Sequence, residues 1–297
     1  MSELSSHTKL MNTIICLSTR SHRFYTPVLY ENHYELETIE CSFNKIDGDI
    51  IDADIVLKNP ELKNLFIMEC KAGGLEKDQA ERYSTLNKND IVNANITTLG
   101  GEFTFEIAYL TDSENKEKLI KGINENSLNF PIIFLDNDKL KLACNSINCS
   151  TLHDLFSNNG GITVPKNPPL MYYPFGKDDS DAHILSCIGP VLMQIRGQEF
   201  DVEDLLLKTH RIYEYFSDAA VKSLKGRLGK LINDLKKGDL NEFFDQPKSK
   251  PYSLKDFGPK RFQKKLEQFI EKSNQNPLKE TQLLLGKFGN LGENNGL

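Results

Sequence analysis

Hydrophobic and polar positions change their period several times along the first 135 residues. Apolar and acidic residues nearly alternate over residues 34–43, which predicts a half-buried strand. Residues 49–57 (DIIDADIVL) are rich in Ile and Val and predict a second strand, and residues 65–71 (LFIMECK) a third. The connection at 58–64 contains Asn59, Pro60 and Asn64, so the second and third strands are expected to pair antiparallel through a short turn. Gly73-Gly74 closes the extended run. Residues 75–86 then switch to helical spacing, with Leu75, Gln79, Tyr83 and Leu86 on one side. A strand at 103–110, a polar helix at 114–124 and a buried strand at 130–135 follow. Strands interleaved with helices in this way predict an α/β or α+β fold.

The texture changes over residues 158–181, where Asn-Gly-Gly, Pro165, Pro168-Pro169, Pro174 and Gly176 crowd together. This predicts a domain at 1–160, a linker at 161–180 and a second domain at 181–297. Helices are expected there at 203–216, 218–237, 259–272 and 277–286, with Ser217 and Asp218 as an N-cap and Gly238 as a stop. No strand is expected in this part, so the second domain reads as all-helical. The Gly/Asn-rich residues 289–297 read as a loose tail.

A chain of 297 residues fits two domains, and 39% hydrophobic with 26% charged residues excludes collagen-like, coiled-coil and mostly disordered classes. No run of 18 apolar residues occurs, and the first 20 residues lack a basic start followed by an apolar core. Neither a membrane span nor a secretory signal is expected, and a cytoplasmic protein with reduced thiols is. Cys16, Cys41, Cys70, Cys144, Cys149 and Cys187 show no metal-ligand spacing. The net charge of -6 divides unevenly. Residues 201–297 hold 18 basic and 14 acidic side chains, and residues 1–200 hold 18 and 28. Only the C-terminal part has a bulk field that attracts a polyanion.

One group of residues carries chemistry. Asp54 stands near the end of the second expected strand, and Glu69 and Lys71 stand near the end of the third. Residues two apart on a strand share a face, so Glu69 and Lys71 point the same way. Antiparallel pairing through 58–64 brings Asp54 close to them. Charged residues ending otherwise apolar strands are costly unless paired or used. Two carboxylates suit a hard divalent cation, and an ammonium beside them can stabilise developing negative charge or orient a water.

The stretch IDADIVLKNPELKNLFIMECKAGG resembles the active-site hairpin of the PD-(D/E)XK nuclease superfamily, the restriction-endonuclease-like fold. Within the following KDQAERY, Gln79 and Tyr83 are similar to the Gln-x3-Tyr signature of RecB-type nucleases. The resemblance covers roughly residues 34–86, with Ala53 where the motif often has Pro. It implies an αβββαβ core, Mg2+ (or Mn2+) dependence and phosphodiester hydrolysis. It further implies Asp54 and Glu69 as metal ligands, the backbone carbonyl of Cys70 as a third, and Lys71 as the charge stabiliser. Gln79 and Tyr83 would position Lys71 or the phosphate. A first-helix Glu is common in that superfamily, and Glu31 is the candidate here.

Residues 221–237 set Lys222, Lys225, Arg227 and Lys230 against an apolar stripe of Val221, Leu224, Leu228, Leu231 and Leu235. With the preceding helix this resembles a helix-turn-helix or winged-helix unit. The combined expectation is a Mg2+-dependent endonuclease acting on DNA in restriction or phage defence. RNA is a second substrate class, and a homodimer or protein partner is to be expected through the C-terminal domain. Two other classes fit the same features: a non-catalytic nucleic-acid-binding or assembly protein, and a helix-turn-helix regulator with an α/β sensor domain.

Overall fold

The computed structural model describes residues 5–20, 25–45, 48–95, 97–99, 102–164, 172–245 and 251–274. They group into two compact units. The first takes the described residues of Glu3–Gly176 and His210–Leu224, and the second those of Lys177–Thr209 and Lys225–Leu297.

The first unit starts with α1 (Ser6–Ser18), in which every residue from Leu10 to Ser18 is buried, and a single turn, α2 (Val28–Glu31). Strands β1 (Glu35–Asn44), β2 (Ile50–Asn59) and β3 (Asn64–Lys71) follow. Helices α3 (Lys77–Ser84) and α4 (Lys88–Asn93) lead to β4 (Thr104–Asp112), and α5 (Lys116–Glu125) leads to β5 (Ile132–Asp136). β6 (Lys139–Cys144), α6 (Ser150–Ser157) and β7 (Ile162–Thr163) complete it. The seven strands form one mixed sheet in sequence order. β1–β2, β2–β3 and β5–β6 pair antiparallel through short turns, and β6–β7 pair antiparallel across α6. β3–β4 and β4–β5 pair parallel, through crossovers that contain helices. α1 packs on β1 to β4.

The expected strands and the helix at 114–124 are present with shifts of a few residues at their ends. The helix expected at 75–86 is α3, two residues shorter at each end. α4 is a separate helix beyond it, started by Asn87, whose side chain forms a capping box with Asp90. α1, α2, α4, α6, β6 and β7 were not anticipated.

The second unit contains α7 (Asp181–Gln194), β8 (Glu199–Phe200), α8 (Val202–Thr209), α9 (Asp218–Lys237, from Lys225 onward), β9 (Phe244–Asp245), β10 (Tyr252–Leu254) and α10 (Pro259–Asn274). It corrects the all-helical expectation: β8, β10 and β9 form a three-stranded antiparallel sheet in that order. These strands are too short to display a two-residue period, yet Phe200 and Tyr252 are buried and stack at 5.5 Å between ring centres.

The helix expected at 203–216 ends at Thr209. Residues 210–216 turn instead into the first unit, where His210 and Phe216 join an aromatic cluster with Tyr173 and Phe175. Ser217 does cap α9, accepting the Ala220 N–H at 3.2 Å, and α9 stops before Gly238. The helix expected at 277–286 and the tail at 289–297 lie outside the described residues. No helix among the described residues is long and apolar enough to cross a membrane.

Candidate active site

The β2–β3 ladder runs from Asn59/Asn64 to Ile55/Met68 and ends there. On its other side β3 stays paired with β4 as far as Lys71/Thr111, and Thr111 Oγ1 donates to the Lys71 carbonyl at 2.7 Å. The end of β3 is thereby fixed while its β2 side opens. In that opening the Cys70 N–H donates to a side chain, Asp54 Oδ2, at 2.6 Å. The aspartate takes the place of a ladder carbonyl, which satisfies a buried donor and fixes the carboxylate between Glu69 and Lys71 in sequence.

Glu69 and Lys71 are buried, with Lys71 Nζ 3.2 Å from Glu69 Oε1. α3 contributes the next layer. Gln79 Nε2 donates to Glu69 Oε1 at 2.9 Å, and Gln79 Oε1 accepts from Lys71 Nζ. The Tyr83 hydroxyl lies 2.7 Å from Glu69 Oε2 and also bonds the Asp52 carbonyl. One helical turn separates Gln79 from Tyr83, so a single helix face grips both oxygens of one carboxylate. The structure thus brings together Asp54, Glu69, Lys71, Gln79 and Tyr83.

Burial raises the Glu69 carboxyl, and the Asp54 charge raises it further. Lys71, Tyr83 and Gln79 pull it down, and it titrates at about 7. Burial also raises the Tyr83 phenol and the Cys70 thiol, so both stay protonated at neutral pH.

One residue of the site was not anticipated. His7, in the first turn of α1, places Nε2 3.1 Å from Asp54 Oδ1. Burial would lower this imidazole, but the Asp54 hydrogen bond and charge, with Glu40 and Glu69, raise it to about 9. Ser6 Oγ, beside it, donates to Asp112 Oδ2 at 2.5 Å and ties the start of α1 to β4. The first helix of the chain therefore does reach the site, but with His7. Glu31 is exposed at the end of α2.

Among the described residues, no group of three or more His, Cys, Asp or Glu side chains is placed to hold a metal ion. The site holds two carboxylates, Asp54 and Glu69, and the Asp54 charge opposes ionisation of Glu69. Two carboxylates are the donor type that a hard divalent cation takes, and such an ion would relieve that opposition.

The four basic residues of α9 are not equivalent. Lys222 and Lys230 are exposed. Lys225 Nζ lies 2.8 Å from Glu203. Arg227 donates to Asp181 Oδ1 through Nη2 at 2.9 Å and through Nε at 3.2 Å, and it also bonds the Lys177 carbonyl. Two of the four thus join helices within the second unit.

A family model described as the MJECL32 domain matches residues 6–173, a span that contains His7, Asp54, Glu69, Lys71, Gln79 and Tyr83. No curated protein and no solved structure matches the chain.

Proposed function

The chain belongs to the MJECL32 domain family, and we propose that the notch between β2 and β3 is the active centre of a Mg2+-dependent nuclease. The observation that carries this reading is the Asp54–Cys70 bond, which ties one acid to the backbone between a second acid and a lysine. Gln79 and Tyr83 add specificity: the resemblance implies that they position Lys71 or the phosphate, and here Gln79 bonds Lys71 while both bond Glu69 from the helix after its strand. The order helix, three strands, helices, strand supports a restriction-endonuclease-like core.

Asp54 and Glu69 would hold the cation, with the Cys70 carbonyl as a third oxygen. When bound, Mg2+ or Mn2+ supplies Lewis-acid polarisation of a phosphate oxygen and a more acidic water. Lys71 would supply the positive charge that offsets the negative charge developing on a reacting phosphate. Gln79 and Tyr83 keep Glu69 and Lys71 in register, and His7 holds the outer oxygen of Asp54.

DNA is the substrate we infer. The second unit runs helix, strand, helix, helix, strand, strand, helix, and its last strand takes the middle of the sheet. That order supports a winged-helix reading, with α9 as the helix that meets duplex DNA. A nuclease with its own DNA-binding unit fits a restriction or phage-defence endonuclease, by analogy. Purified protein incubated with plasmid, linear duplex, single-stranded DNA and RNA tests the reading. Cleavage that needs Mg2+, stops with EDTA and is absent from Asp54→Asn is expected. Cleavage of equal rate in Asp54→Asn would overturn it.

A further inference from the structure

Three oxygens surround Lys71 Nζ: it donates to Gln79 Oε1 and to Glu76 Oε1 at 3.1 Å, and it pairs by charge with Glu69 Oε1 at 3.2 Å. The first two are fixed. Glu69 is buried and held by Tyr83 and Gln79, and Gln79 is bonded to Glu69 in turn. Glu76 is different, because its side chain is 73% exposed and, among the described residues, Lys71 is its one hydrogen-bond and ion-pair partner. It stands at the N-cap of α3 without capping that helix, so its carboxylate serves Lys71 alone. The loop that carries it from β3 includes Gly73 and Gly74. Gly74 is exposed and Gly73 partly so, and a side chain at either would meet open space.

A lysine ringed by two carboxylates and an amide oxygen presents little of its charge to a phosphate. We propose that Glu76 is a tethered stand-in for the substrate phosphate: its carboxylate takes a hydrogen bond of Lys71 in the resting site, and the scissile phosphodiester takes that bond by displacing it. The exchange swaps one anionic acceptor for another and makes or breaks no covalent bond. It rests on the nuclease reading, and it deepens that reading by a selection rule. A tethered carboxylate competes at high effective concentration. A lone phosphate displaces it poorly, whereas a polyanionic chain with further phosphate contacts displaces it readily. The site therefore favours nucleic-acid backbone over small phosphate esters.

The test titrates inorganic phosphate into the full chain in Mg2+ buffer by calorimetry, a measurement that needs no turnover. Glu76→Gln and Glu76→Ala are exposed changes, and both are expected to bind phosphate about twofold to fivefold tighter than the wild type, the range of an exposed ion pair. The gain is expected to vanish when Lys71→Met is added. Unchanged affinity in both Glu76 variants, or a gain that survives Lys71→Met, overturns the proposal. In parallel, Glu76→Gln is expected to lower KM for a short oligonucleotide. A loss of cleavage as large as that of Lys71→Ala would instead make Glu76 part of the catalytic set and overturn its role as a stand-in. Absence of Mg2+-dependent cleavage by the wild type would count against the nuclease reading alone, since the phosphate titration is decided separately.

Discussion

Glu69 Oε2 lies 2.7 Å from the Tyr83 hydroxyl, while Glu69 Oε1 accepts Gln79 Nε2 at 2.9 Å. A strand carboxylate is thus held at both oxygens by one turn of the following helix. Tyr83→Phe removes a bond that favours the ionised acid, so Glu69, already at about 7, would titrate higher still. Cleavage at pH 7 is expected to fall about tenfold, the scale of one hydrogen bond to a charged group, and to recover toward wild type as the pH rises to 9. Parallel pH–rate profiles for the two proteins decide it. A profile that keeps its shape at lower amplitude would show that Tyr83 acts by packing.

Asp54 has two duties that substitution can separate. Asp54→Asn keeps an oxygen for the Cys70 N–H but removes the charge, so the fold should persist. Cleavage is nevertheless expected to fall ~100-fold or more, as it should in Glu69→Ala and Lys71→Ala, because each removes a cation ligand or the charge stabiliser. Circular dichroism and a DNA cleavage assay on the same preparations separate folding from chemistry. Near-wild-type turnover in any folded variant contradicts the assignment.

Five of the six residues at the site were legible because each lies in a segment with a clear period. The Ile/Val-rich β2 and the apolar run of β3 announce Asp54, Glu69 and Lys71, and the helical spacing of α3 pairs Gln79 with Tyr83. His7 escaped for a physical reason. α1 is buried on every side from Leu10 to Ser18, so its sequence shows no polar face and no helical stripe. The strands β8 to β10 escaped because two or three residues cannot show alternation. Residues 210–216 misled in the opposite way. Their aromatic spacing suits a helix, but Tyr173 and Phe175, over thirty positions earlier, recruit His210 and Phe216 into a cluster that local pattern does not reveal.

Stability without a divalent cation should depend on pH through Glu69 and His7. Glu69 titrates at about 7 in the fold against 4.5 ordinarily, so the folded state holds its proton more tightly than the unfolded chain does. Its contribution is present below pH 4.5 and is lost as pH rises through 7, on the order of 3 kcal/mol. His7, raised from 6.5 to about 9, acts in the same direction between those values. In EDTA, urea midpoints are expected to fall from pH 5 to pH 8, and Glu69→Gln should flatten the lower part of that fall. At pH 8, Mg2+ should raise the midpoint of the wild type but not of Asp54→Asn. A wild-type midpoint indifferent to Mg2+ would argue against a cation at this site.

The choice of cation follows from the same donor set. Two carboxylates and a carbonyl leave most of the ion's coordination to water, which suits Mg2+ or Mn2+. Ca2+ takes more ligands in looser geometry, so it is expected to support DNA binding without cutting. Gel-shift and cleavage assays with each ion check this, and cutting of equal rate in Ca2+ or in EDTA would contradict it.

The exposed and the paired cations of α9 should respond differently to neutralisation. Arg227 donates to Asp181 Oδ1 and to the Lys177 carbonyl, and Lys225 lies 2.8 Å from Glu203, so their charges already serve the second unit. Lys222 and Lys230 are exposed, with no acid tied to them among the described contacts, and are left to meet phosphate. The double variant Lys222→Ala/Lys230→Ala is therefore expected to weaken duplex binding and to lower the slope of log K against log salt by about two, one for each lost phosphate contact. Leu224, Leu228 and Leu231 stay buried in that variant, so α9 should still pack. Arg227→Ala should do the reverse. It leaves the Asp181 carboxylate without its partner and is expected to cost about 1–3 kcal/mol of stability in urea. Its effect on the salt slope should be smaller than that of the lysine pair. Salt titrations of binding and urea titrations of folding, run on all three proteins, separate the two roles. A double lysine variant with wild-type slope would mean that the exposed face of α9 is a solvated surface and that DNA is met elsewhere.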